Sequence, residues 1–135
     1  MTRSAMRALL LLLVASLAGI ALAEESEILT GTFVWERDDG EVSGDLEARF
    51  TSTGDKTWDV TFHFDWEGEP RIWKGTAKGS LKKGKLEGEA TMDQTDKPST
   101  FTFTGKFKGG IFKGTHARIR KEGEPRATGT LTLGR

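Results

Sequence analysis

Four tryptophans and two histidines are the side chains of this 135-residue chain best suited by type and position to act on a ligand. Trp66 and Trp73 flank the turn Glu67-Gly68-Glu69-Pro70, which brings them to one end of a hairpin, with Trp58 on the same strand as Trp66. Together with Trp35 they can stack on a sugar, enclose an apolar ligand, or simply fill a core. His63 alternates with Asp59 and Asp65, yet a metal site needs a further convergent ligand from another strand, so a solvated strand face is the simpler reading. His116 falls where a β-bulge is expected, and bulges re-aim side chains next to sites. The candidate ligand-binding set is therefore Trp35, Trp58, Trp66, Trp73 and His116, with no metal site and no cofactor expected.

Catalytic chemistry finds little support. Cysteine is absent, which removes thiol nucleophiles, disulfides and thiolate metal sites. Ser43, Ser52, Ser80 and Ser99 lie beside turns or on outward positions, with no base or oxyanion donor grouped around them. Carboxylates are plentiful, but they sit in turns or alternate outward, away from any paired acid and base. A hydrolase-like enzyme is the third reading, behind a binding barrel and a structural or self-associating scaffold.

Charge sharpens the choice of partner. The formal net charge is zero. Residues 24–70 nevertheless carry 14 acidic side chains against Arg37, Arg49 and Lys56, whereas residues 71–135 carry 15 basic against 6 acidic. The basic half supplies a candidate patch of Lys74, Lys78, Lys106, Lys108, Lys113, Arg118 and Arg120 for an anionic envelope polymer or a lipid surface. Opposite halves could also drive head-to-tail self-association. Basic residues without interleaved exposed aromatics argue against nucleic acid.

The elements that must position these groups begin after residue 23. Arg3 and Arg7, an apolar run with five consecutive leucines, and Ala21-Leu22-Ala23 form a secretory signal pattern, with cleavage expected after Ala23 and export to the periplasm or beyond. The apolar stretch of about 16 residues is shorter than the roughly 20 that span a bilayer. Isoleucine at position 20 stands where a lipidated cysteine would be needed.

Residues 24–135 are read as one β domain. Trp58 to Trp66 alternates apolar and polar without exception over nine positions. The same period runs through Leu29–Trp35, Val42–Phe50, Trp73–Leu81, Leu86–Met92, Phe101–Phe107, Ile111–Ile119 and Ala127–Leu133. Short turns join these eight segments, so neighbours should pair antiparallel. With no helical period to supply a covering layer, the sheet must bury its apolar face against itself. A closed eight-stranded up-and-down barrel is the expected fold, with a strongly twisted open sheet or a dimeric sandwich as alternatives.

Two internal repeats constrain the phase of the seventh strand. Gly79, Leu81, Gly84, Leu86, Gly88 recurs 26 residues later as Gly105, Phe107, Gly110, Phe112, Gly114. This glycine-punctuated hairpin resembles the membrane occupation and recognition nexus (MORN) repeat, which would imply a scaffold or lipid-associated role. His116 and Ala90 replace the glycines the family usually has there, and Ala77 replaces its leading aromatic. Thr30-Gly31-Thr32-Phe33 looks like the opening of lipocalin and avidin barrels, although those families place tryptophan at the position of Phe33.

The second repeat is Glu67-Gly68-Glu69-Pro70-Arg71 against Glu122-Gly123-Glu124-Pro125-Arg126. It aligns Phe62 and Phe64 with Ala117 and Ile119, making the latter two core and sending His116, Arg118 and Arg120 outward. The glycine hairpin instead makes Phe112 and Gly114 core. Both hold only if strand seven shifts phase, so a bulge is expected at Thr115 or His116.

Overall fold

The computed structural model describes residues 26–94, 98–119 and 123–135. The expected signal segment and Arg120 therefore lie outside the described residues. Eight strands follow one another: β1 (Ser26–Arg37), β2 (Gly40–Gly54), β3 (Thr57–Trp66), β4 (Glu69–Gly79), β5 (Gly84–Met92), β6 (Ser99–Lys108), β7 (Ile111–Ile119) and β8 (Pro125–Gly134). Each pairs antiparallel with the next, and β8 pairs with β1, closing the barrel. Closure leaves no open edge and lets the one apolar face become an interior.

Alternation sets which residues fill it. Leu29, Phe33, Leu46, Ala48, Phe50, Val60, Phe62, Leu86, Phe103 and Phe112 are buried inside, while Thr, Lys, Asp and Glu occupy the outer positions between them. A polar outer wall around an apolar interior is the reverse of a barrel whose outer band faces lipid. Two inward glycines are obligatory for this curvature. A Cβ on Gly31 would lie 1.7 Å from the Thr132 carbonyl oxygen, and one on Gly75 the same distance from that of Glu89. At both points the neighbouring backbone occupies the space of a side chain.

The phase conflict between the repeats is resolved differently from expectation. The register does slip beside His116, between His116 opposite Gly129 and Ala117 opposite Ala127. The extra residue, however, is Thr128 on β8, and β7 keeps its phase throughout. Phe112, Gly114, His116 and Arg118 thus share the inner register, and Ala117 and Ile119 take the outer one, correcting the alignment drawn from the five-residue repeat. Gly129 accommodates the slip, since a Cβ there would stand 1.9 Å from the Val34 carbonyl oxygen. A second slip, at Thr53 of β2, was not expected.

The two barrel ends differ. At the end holding the β2–β3, β4–β5 and β6–β7 connections, Phe50, Leu86, Phe107, Phe112 and Leu133 pack the interior solid. Strand β4 stops at Gly79, two residues earlier than its alternation suggests, and Leu81 in the connection folds in as a plug, only 3% exposed. Arg135 pairs with Glu27 across the same end. The opposite end, bounded by the β1–β2 and β3–β4 turns, is hollow.

Candidate functional site

The hollow end is a cavity of about 390 Å3. Its floor is Leu46, Phe62, Phe103 and Leu131, and its walls are aromatic. Six rings form a continuous circuit: Phe33 to Trp66 at 6.4 Å between centroids, Trp66 to Trp35 at 5.6 Å, Trp35 to Phe101 at 5.0 Å, Phe101 to Trp73 at 4.6 Å, Trp73 to Phe64 at 6.3 Å, and Phe64 back to Phe33 at 5.0 Å. Most meet at tilted or edge-on angles, the arrangements that bring a positive ring edge to a negative face. A wall of rings braced against one another keeps a space open that flexible aliphatic chains would collapse into.

Three of the four tryptophans line this space, and Trp58 does not. It sits at the filled end, packs edge-on against Phe50, and donates its Nε1–H to the Gly79 carbonyl at 2.9 Å. The sequence places Trp58 on the same face of β3 as Trp66, but eight residues of strand carry it to the other end. Trp73 differs again. Its Nε1–H is buried with no acceptor among the described residues, a state that costs about 1–3 kcal/mol unless something supplies an oxygen.

His116 reaches the cavity through the unshifted phase of β7. Its imidazole lies 5.6 Å from the Trp35 ring and 6.1 Å from Phe101. Nε2 is 2.9 Å from the Val34 carbonyl and so carries a proton, while Nδ1 stands 2.6 Å from the Thr128 hydroxyl. Thr128 is the bulge residue, so the register slip is what brings this hydroxyl to the ring. Burial holds the His116 pKa below its ordinary value, against the opposing pull of the backbone contacts to Val34 and Thr130 and of the Glu36 charge. The neutral form is accordingly favoured near neutral pH, and the single Thr128 hydroxyl proton is shared between Nδ1 and the His116 carbonyl oxygen 3.0 Å away.

Charge enters at the rim. Arg37, Arg71 and Arg118 all line the cavity. Arg37 stands 5.8 Å over the Trp66 ring, Arg71 pairs with Glu69 at 3.0 Å, and Arg118 donates to the Ser99 hydroxyl at 3.4 Å. Arg118 therefore leaves the expected outer patch, a correction that follows from the unshifted β7. Arg37 and Arg71 were not among the expected site residues, although a signal existed. Each stands two positions from an inward tryptophan, Trp35 or Trp73, and period-two alternation puts such neighbours on one face.

The remaining expected residues lie outside. Lys74, Lys78, Lys106, Lys108 and Lys113 occupy outer positions of β4, β6 and β7. Lys106 is directly opposite Lys113 on one side and Lys85 on the other, so three lysines cross three strands in a row toward the filled end. Lys85, absent from the expected patch, is its third member and is bridged to Glu87 at 3.2 Å. Lys74 stands apart, opposite Thr91 and nearer the open end. His63 is on the outer wall, and among the described residues no group of three His, Cys, Asp or Glu side chains is placed to hold a metal ion. Comparison of the chain with protein-family models, curated proteins and solved structures finds no match.

Proposed function

We propose that this chain is an exported, non-catalytic β-barrel that carries a small, mainly apolar ligand in its open end, with residues 1–23 as the export signal. The observation that carries the reading is the contrast inside one barrel between a filled end and an aromatic-walled cavity of about 390 Å3. That volume falls within the range of roughly 300–1,000 Å3 typical of small-molecule pockets. The unpartnered Nε1–H of Trp73 supplies one donor for a ligand oxygen. A glycan fits less well, because its many hydroxyls would be stripped of water against walls that offer few partners.

The test is a titration with a neutral apolar fluorophore such as 1-aminoanthracene, read by its own emission and by tryptophan quenching. Saturable binding with one site per chain is expected. Ala90 is buried and lines the cavity, so Ala90→Phe should fill the space and abolish binding in a folded protein. Absence of binding, together with an oligomer that dissociates in salt, would replace this reading with the self-associating scaffold.

A second reading concerns the outer wall. The row Lys85, Lys106 and Lys113 places like charges directly opposite one another, an arrangement that an anionic surface relieves. An anionic envelope polymer or lipid headgroups are the partners it suits. Cosedimentation with anionic vesicles at low salt, lost in Lys106→Glu, checks it.

A further inference from the structure

The charged side chains on the inner register of the strands are strongly biased in sign. Reading inward positions along β1 to β8, the cationic ones are Arg37, Arg71, Arg118 and Arg126, all at the open end. Two carboxylates share that register: Glu69, at the same end, is bound to Arg71 and mostly exposed, and Glu27, at the filled end, is paired with Arg135. Glu36 and Asp65, on the same strand ends, fall on outward positions, and Asp38, Asp39 and Glu67 lie in turns.

Two of the arginines are placed at a cost. Arg118 and Arg126 are direct cross-strand partners on β7 and β8, and like charges in that relation destabilise a sheet. Arg71 is drawn into the cavity wall until its side chain is only 22% exposed. A guanidinium remains charged at any accessible pH and presents a planar fork of donors suited to carboxylate or phosphate oxygens. The surface pair with Glu69 is weak enough for a better-placed anion to displace it.

Resting on the proposal that the cavity holds an apolar ligand, we infer that this ligand is a single-chain anionic amphiphile. Its hydrocarbon part lies among the rings of Phe33, Phe101 and Trp73, and its carboxylate or phosphate head sits at the mouth against Arg37, Arg71 and Arg118. A cavity near the low end of small-molecule pocket volumes takes one chain rather than two. Burying the chain removes apolar surface from water while the head keeps contact with solvent and with the arginines, so neither half of the ligand is mismatched.

The experiment compares ten-carbon ligands that differ only in the head: decanoate, decyl phosphate, decanol and decyltrimethylammonium, each titrated below its micelle concentration by tryptophan fluorescence. The anionic compounds should bind about tenfold more tightly than decanol, the equivalent of one charge-assisted hydrogen bond, and the ammonium compound most weakly. Arg71→Gln and Arg118→Gln should each lower decanoate affinity roughly fivefold to tenfold and leave decanol unchanged. A preference for decyl phosphate over decanoate assigns the head as a phosphate ester, and the reverse order assigns a carboxylate. Equal affinity for decanol and decanoate, or arginine variants that retain the full preference, would overturn the inference while leaving the cavity reading intact. Failure of all four to bind would remove both.

Discussion

The two ends of this barrel are built from the same alternating strands and differ in what alternates inward. At the filled end the inward residues are, Trp58 apart, aliphatic or phenylalanine, and Leu81 seals the core from outside the strand ladder. At the open end phenylalanines are joined by tryptophan, histidine and arginine, too wide, too polar or too charged to close over one another. One tryptophan at each end shows the contrast. Trp58 has its indole N–H bonded to Gly79, whereas Trp73 has a buried N–H without an acceptor among the described residues. Close packing and open space are thus segregated along the barrel axis.

Side-chain truncation tests this separation most severely. Phe112→Ala, at a fully buried position of the filled end, should lower unfolding free energy by about 3–5 kcal/mol in urea titrations. Phe64→Ala at the cavity wall, where the ring already borders open space, should cost well under half of that and instead weaken apolar-probe binding. Equal destabilisation by the two would break the comparison.

Closure of the barrel is a smaller term, common to both ends. Gly31→Ala forces a methyl group into the Thr132 carbonyl and should cost about 1–3 kcal/mol, with ligand affinity falling in parallel as β1 and β8 separate.

The indole nitrogens give a finer measure. Trp58→Phe deletes a donor and strands the Gly79 carbonyl, a loss of about 1 kcal/mol. Trp73→Phe removes a donor that has no described partner, and should be neutral or slightly stabilising while lowering affinity for oxygen-bearing ligands. If the Trp73 variant is the less stable of the two, the polar character assigned to the open end is wrong.

The smallest expected effect is the pH response of His116. Its folded-state pKa lies below the unfolded value of 6.5, so the unfolded chain binds more protons between the two. Its contribution to stability is therefore fully present above pH 6.5 and declines as pH falls toward the folded pKa, below which the loss is constant. The charges nearest in the sequence and at the rim are Glu36, Arg37 and Arg118. In urea titrations the stability difference between the wild type and His116→Gln should be constant above pH 6.5 and shift against the wild type as pH falls below it.

Much of this architecture is legible in the sequence. Unbroken alternation from Trp58 to Trp66 specifies a strand with one buried face, and the lack of a helical period in residues 24–135 makes a sheet closed on itself the first choice over an open sheet or a dimeric sandwich. The clash between the two repeats located a register slip to within a residue or two of its position beside His116. A pattern on one strand cannot say which of two paired strands takes the extra residue, because both choices restore the pairing. Tertiary packing chose β8, where Gly129 allows the backbone to approach Val34, and that choice turned His116 and Arg118 inward together.

The sequence by itself determined the strands, the order in which they pair and their faces except in the last part of β7, since those follow from period-two alternation and short turns. Which end of the barrel would be hollow was decided only by the fold. Inward neighbours along a strand are visible in sequence, but whether rings from β1, β3, β4 and β6 fill a space or surround it depends on strand stagger and curvature. Those are properties of the closed sheet as a whole, set where backbone presses against Gly31 and Gly75, and no single segment contains them.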